Sequence, residues 1–466
     1  MKTSVKRSMK GHAKHMLACL LSLVLILMAF AGCSSSSNNG ETTGQAADTA
    51  GSTAAASGDS GKDQTINYLT LTEFADPLNE KGGILEKYNQ ETGVKVNCEG
   101  LAFNDLFDVI EIKINSGDTY YDVLQIDSPN VTSDASRGLL VDLNQYWTDE
   151  EKKQLTGVSV QAGTYQGHFY SPPMNTSSMT IFYNTKLLQD AGIKLPDNIT
   201  VENRITWEDL RDLAKKGLEV LDPDKTKGIY GIEFRQVSRV YNMNPLPNSL
   251  GGLNIGEDGF TVDGVINSKP WIDGVTFYQK LVNDGISSRG VVADEERNLF
   301  VSDKVMFMLD NTTMLSFCKG KNMDHYGYFP QPAFKGHEDQ VATATGSWHF
   351  GVNPHSTKPV ELSNNFIKYM SIGEGADLWY QRYQQLPTKV ALLNELVNDP
   401  NCSDFLKIVL YESSHTAVLR AMTPGFSEYS DILNNAWEDV RNGEDVTATL
   451  NDAVAKINST MVKYKK

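Results

Sequence analysis

Cysteine is scarce in this chain, and so is positive charge. Five cysteines in 466 residues are too few for a disulfide scaffold. Lys and Arg number 42 against 58 Asp and Glu, a formal charge of 42 − 58 = −16. A chain this acidic is a poor nucleic-acid binder, which needs cations to neutralise phosphates. Long apolar runs are missing except for one, Met16 to Ala31, shorter than the roughly 20 residues of a bilayer-spanning helix. Catalytic signatures are missing too: there is no Gly-rich phosphate loop, no G-x-S-x-G elbow and no H-E-x-x-H. The glycines from Gly251 to Gly259 have the wrong spacing for a dinucleotide fingerprint and read as turns. Asp222-Pro-Asp224 is only loosely like a calcium loop, lacking the third acidic ligand and the later Glu. Histidines 168, 325, 337, 349, 355 and 415 show no ligand spacing. No catalytic residue, metal or cofactor is therefore expected. A carboxylate pair suited to a glycosidase cannot be singled out from spacing alone.

What is present is core material. Apolar residues make up 40% and aromatics 9%, which excludes global disorder. The length suits two or three domains.

The first 32 residues carry five cations (Lys2, Lys6, Arg7, Lys10, Lys14), all ahead of the apolar run. Basic, then apolar, then small residues describe a secretory signal. The run ends in Phe30-Ala31-Gly32-Cys33, which resembles the bacterial lipobox, with Phe30 where Leu is usual; the alternative is a short anchor cleaved elsewhere or retained. Cys33 is the expected lipidation site, and residues 1–32 the signal. Residues 33–63 then form a tether, because 34–63 hold no aromatic and no large aliphatic side chain to bury. Cleavage before Cys33 leaves 466 − 32 = 434 residues and a charge of 37 − 58 = −21. Cys98, Cys318 and Cys402, widely spaced, read as small buried residues.

From Thr65 the pattern alternates. Strands are predicted at 65–71, 94–96, 122–126, 179–185 and 305–309. Helices follow over 84–92 (stopped by Gly93), 105–116 (capped by Asn104), 186–191, from Trp207 behind the Thr206–Asp209 capping box, around 364–370, and a last one capped by Thr447. This rhythm argues an α/β chain with parallel sheets in two units of similar size.

Several stretches then resemble the extracellular solute-binding proteins of ABC importers, family 1. They are Ile181-Phe-Tyr-Asn-Thr-Lys-Leu-Leu-Gln-Asp-Ala-Gly-Ile193 followed by Thr206-Trp-Glu-Asp-Leu210, Val123 to Leu143, Leu299 to Leu309, Tyr328-Phe-Pro330, Gly346 to Val352, Phe366 to Met370 and Asn442 to Leu450. The resemblance implies a two-lobed, type II periplasmic-binding-protein-like α/β fold with a ligand cleft between hinged lobes. Lobe I would be 64–174 plus 350–386, and lobe II 175–349 plus 387–466. It implies a lipid-anchored, monomeric receptor on the extracytoplasmic face of the cell membrane, handing a carbohydrate, expected to be an oligosaccharide, to a permease without catalysis. A non-sugar solute (a polyamine or peptide) and a surface glycan-active enzyme are the alternatives. Positions carried over as ligand-binding are Glu73, Phe74, Asp127, Ser128 and Arg382 on one lobe, Asn175 and Ser177 at the first crossing, and Arg239, Tyr241, Asp310, Asn311 and Tyr429 on the other lobe. Trp348 stands at a lobe crossing, either facing the cleft or packed in the hinge. Thr312-Thr313 occupy the place where many members carry a Trp. Phe426 is a further aromatic candidate, whereas Trp207 and Trp271 read as packing residues.

Overall fold

The computed structural model describes residues 64–292 and 295–465. The signal, Cys33 and the tether lie outside the described residues. Among the described residues, nine strands build two main sheets: β1 (Thr65–Leu71), β2 (Lys95–Leu101), β3 (Val123–Asp127), β4 (Pro173–Asn175), β5 (Met179–Asn184), β6 (Tyr230–Phe234), β7 (Val305–Asn311), β8 (Tyr326–Pro330) and β9 (Trp348–Val352).

The first sheet runs β2-β1-β3-β9-β4. β1 pairs with β2 and β3 in parallel, as the βαβ rhythm predicts. β9 then enters antiparallel between β3 and β4, so the sheet is parallel over three strands only. The second sheet, β8-β5-β7-β6, is mixed, with one parallel pair, β6 with β7. A wholly parallel reading fails because β5, β8 and β9 lie antiparallel to their neighbours, a pairing that sequence alternation does not reveal.

Each sheet has its own core. Ile66, Tyr68, Leu124, Phe350, Phe366 and Trp379 belong to the core of the first. The second sheet is covered on both faces: Ile181, Phe307 and Leu309 point into one core, Phe182 and Met308 into another. That alternation follows the two-residue period of a strand, and it explains why every residue of β7 is buried. Trp207 and Trp271 are fully buried in the larger core, as expected of packing residues.

Local signals hold in most places. Gly93 stops helix Ile84–Thr92 in the left-handed conformation, with φ of 73°. Thr206 caps helix Trp207–Leu221, its hydroxyl accepting the Asp209 amide at 3.1 Å. Other expectations are corrected. Helix Phe103–Asn115 begins before Asn104, behind Ala102. The last helix, Val446–Met461, is capped by Asp445 rather than Thr447: its carboxylate accepts from Ala448 N at 2.9 Å. Asp222 is engaged by its own turn, accepting from the amides of Thr226, Lys227 and Ile229.

Among the described residues the chain passes between the two lobes at 175–179, 344–348 and 385–388, and these crossings are bonded to one another. Thr176 N donates to Leu386 O at 2.8 Å, Thr176 and Thr345 share a hydroxyl contact at 2.9 Å, and Asn175 Nδ2 donates to Gln385 Oε1.

Candidate functional site

The sheets face each other across a cleft of about 1090 Å³. Its walls differ in chemistry. Elements of the first sheet contribute Glu73, Phe74, Phe103, Phe107, Asp127 and Trp348. The opposite wall contributes four arginines, Arg235, Arg239, Arg297 and Arg420, with Tyr241, Asn311, Phe426, Asp431 and Asn434. The crossings supply Asn175, Ser177, Gly346 and Gln385.

The aromatic wall is ordered by ring–ring contact. Phe74 meets Trp348 edge-on at 5.7 Å, and Trp348 lies parallel to Phe107 at 6.3 Å. Trp348 is half-buried, so it both lines the cleft and packs at the crossing. Its backbone pairs with Asp127 on one side and Asn175 on the other, which places three candidate residues side by side at the base of the cleft.

The two walls touch through charge. Arg420 grips Asp127 with both terminal nitrogens, at 2.8 and 2.5 Å, and reaches Ser128 Oγ at 3.3 Å. The fork-on-fork geometry is the strong form of a charged hydrogen bond. Asp127 ends β3, while Arg420 adjoins Ala421 in the core of the other lobe. The Arg420 guanidinium also lies 5.2 Å over the Tyr241 ring, and Tyr241 OH bonds Ser177 Oγ at 2.7 Å. Ser177 Oγ in turn donates to Gly346 O at 2.9 Å. A polar chain therefore runs from the first lobe through the second to the hinge.

Titratable groups follow their surroundings. Desolvation in the cleft raises the Glu73 carboxyl, and the guanidiniums of Arg235 and Arg297 oppose that rise. Desolvation also raises the Tyr241 phenol and, with help from Glu428, the Asp431 carboxyl. His349, beside the second crossing, is pushed down to about 4 by burial.

The positions taken from the resemblance divide. Glu73, Phe74, Asp127, Asn175, Ser177, Arg239, Tyr241, Asn311 and Trp348 line one cleft, as does Phe426. Four others do not. Ser128 is buried beneath Asp127, its amide bonded to Ser347 O at 3.0 Å. Asp310 is fully buried behind the wall, where it holds Arg297 through two 2.7 Å bonds and lies 3.7 Å from Arg235. Arg382 pairs with Glu80 on the outer side of helix Glu374–Tyr383. Tyr429 is fully buried and donates its hydroxyl to Asn254 O. Conversely, Arg235, Arg297, Arg420, Phe103, Phe107 and Gln385 line the cleft unannounced. Of these, only Phe103 and Phe107 carried a usable signal, two aromatics four apart on either side of the start of the helix predicted over 105–116.

Two α/β lobes joined by chain crossings, with a large cleft between them, define a two-lobed binding-protein fold. Residues 44–371 match the bacterial extracellular solute-binding protein family, and the chain belongs to that family. A binding protein of Brucella abortus (strain 2308) is 22% identical over 387 residues, covering 80% of this chain and 87% of its own. The ABC substrate-binding protein Lmo0181 of Listeria monocytogenes, solved in complex with cycloalternan, superposes with a TM-score of 0.71 at 22% identity. That match covers 86% of this chain and all of the other. A cyclo/maltodextrin-binding protein complexed with maltotetraose gives a TM-score of 0.71 at 20% identity, over 88% of this chain and 100% of its own. Among the described residues, no helix is long and apolar enough to cross a membrane.

Proposed function

We propose that this protein is the carbohydrate-capturing lipoprotein of an ABC importer. It is anchored through Cys33 on the extracytoplasmic face and holds its ligand between lobes 64–174 plus 350–386 and 175–349 plus 387–466. It delivers that ligand to a membrane permease, acts as a monomer and performs no catalysis. One observation carries the reading: a single cleft presents aromatic rings (Phe74, Phe103, Phe107, Trp348) on one wall and hydrogen-bonding side chains on the other. Sugars need both, since their C–H faces stack on rings and their hydroxyls require fixed donors and acceptors. The saccharides held by the solved relatives, cycloalternan and maltotetraose, support it.

The arginines favour a second reading, a sugar carrying an acid group. Four guanidiniums share the cleft with the carboxylates of Glu73, Asp127 and Asp431. The same arginines disfavour a polyamine.

A thermal-shift screen tests the reading, with neutral mono- and oligosaccharides, uronates, sugar phosphates, amino acids and polyamines. A ligand at a hundred times its Kd stabilises by about 2.7 kcal/mol, enough for a clear shift. Shifts with saccharides are expected. A shift with a polyamine or amino acid and none with any sugar refutes the proposal.

A further inference from the structure

The segment between β6 and helix Val240–Met243 takes a strained course. Gln236 and Ser238 both stand in the left-handed region, with φ of 53° and 70°. Neither is among the residue types that settle there readily, which are Gly, Asn and Asp. Seven described non-glycine residues have positive φ, and Gln236 is the one of them that lines the cleft. Val237, between the two, is buried in the core, so the strained pair brackets a fixed point. Such a conformation persists only where the surroundings impose it.

Here the surroundings are hydrogen bonds from behind the cleft wall. Glu296, fully buried, accepts the Val237 amide at 3.2 Å. Two residues of helix Phe426–Asn442, one turn apart, hold the rest: Asn434 Oδ1 accepts the Val240 amide at 2.9 Å, and Glu438 accepts the Ser238 hydroxyl. Glu438 is held in turn by Arg441 Nη2 at 2.8 Å, while Arg441 Nη1 donates to Val291 O at 2.9 Å. The segment so fixed puts Arg235, Gln236, Arg239 and Tyr241 on the cleft wall. Tyr241 carries the Arg420 guanidinium over its ring and bonds Ser177 at the first crossing. Ser238 and Glu438 do not line the cleft themselves.

We propose that Ser238 and Glu438 are positioning residues for ligand capture: their bond keeps residues 235–241 in the strained course before a ligand arrives, so that binding does not have to order them. The inference rests on the cleft being the place of capture and does not depend on the ligand being a sugar. Apparent affinity falls with the fraction of molecules that hold the competent arrangement. A segment that visits that arrangement about one time in ten therefore binds about tenfold more weakly.

The test compares the mature wild type with Ser238→Gly, Ser238→Ala and Glu438→Gln. Both Ser238 changes remove the hydroxyl, but only glycine eases the backbone. Without ligand, hydrogen exchange read by mass spectrometry on peptides spanning 235–241 should speed up about tenfold in both Ser238 variants. Glu438→Gln keeps an acceptor for the hydroxyl and should exchange near the wild-type rate. Calorimetric titration with maltotriose, cellotriose and digalacturonate should show about tenfold weaker binding in both Ser238 variants. The ligand-free melting temperature should be unchanged or raised in Ser238→Gly and lowered by about 1–3 °C in Ser238→Ala. Weaker binding at undiminished stability is a result that a merely structural serine does not produce. Wild-type exchange over 235–241 in Ser238→Gly, or sugar affinity within twofold of wild type, overturns the proposal. If none of the three sugars binds wild type, that result counts against the carbohydrate reading, and the exchange rates alone decide this one.

Discussion

The Asp127–Arg420 pair is the most informative place to perturb the molecule. Both side chains are only 13–14% exposed, so the pair is weakly screened and differs from an exposed ion pair worth under about 1 kcal/mol. Two charges about 4 Å apart attract by about 4 kcal/mol at an effective dielectric of 20, and desolvation takes back part of that. A net coupling of about 2 kcal/mol is expected for such a bidentate, mostly buried pair. Asp127→Asn alone should cost more, about 3 kcal/mol, because it leaves the guanidinium charged with Ser128 Oγ and the Tyr241 face as its remaining contacts. Arg420 Nε, buried and without a hydrogen-bond partner, adds to that cost. The assay is a double-mutant cycle with Asp127→Asn and Arg420→Met, read by urea unfolding in low and high salt. The double variant should lose about 2 kcal/mol less than the sum of the singles, and 1 M salt should leave most of that coupling in place. Additive losses, or a coupling erased by salt, would refute the claim that this pair ties the lobes together. In that case the contact is a surface ion pair of little consequence.

Two further outcomes are expected. Glu233 is fully buried beside Glu296; its Oε1 accepts from Ser288 N at 2.6 Å and its Oε2 has no partner. Burial pushes its carboxyl up to about 8, with Glu296 adding to the rise and Arg441 opposing it. The folded chain therefore keeps a proton that the unfolded chain releases, and stability should fall by about 1.4 kcal/mol per pH unit from about pH 4.5 to 8. Glu233→Gln should flatten that slope in urea midpoints taken at pH 5, 6.5 and 8; an unchanged slope assigns the proton elsewhere. For the anchor, Cys33→Ala should move the chain from the detergent phase to the aqueous phase on phase partitioning of cells that express it, and retention in the detergent phase would sink the lipoprotein reading.

How much of this was legible depended on whether the cause was local. β1 and the helix stopped by Gly93 are set by residues within one turn or pleat of each other, and both stand where their pattern put them. The helix Thr72–Leu78 went unread because Pro77 sits inside it and only its tertiary setting sustains it. Glu73 and Phe74 still reached the cleft, since the resemblance located them just after a strand end. Tyr429 was misplaced although its period was visible: Phe426, Tyr429, Leu433, Trp437 and Val440 form the buried stripe of one helix, and only Phe426, at its first turn, reaches the cleft. Asp310 shows the limit of placing residues by strand ends, because β7 buries its last residues and turns the carboxylate toward Arg297. Arg420 had no local signature at all. Its role comes from a partner 293 positions away, and one sequence holds no trace of such a pairing.

The place of β9 in the first sheet governs when this chain can fold. Residues 348–352 lie between β3 and β4, yet they are synthesised more than 170 positions after Asn175. At the usual pace of a ribosome that gap lasts about 10–35 seconds. Throughout it the first sheet is missing an interior strand, with β3 and β4 separated by an unfilled slot. A nascent chain in that condition cannot lock into its native form, however strong its local propensities. The late strand thus defers completion of the first sheet until most of the chain has been made.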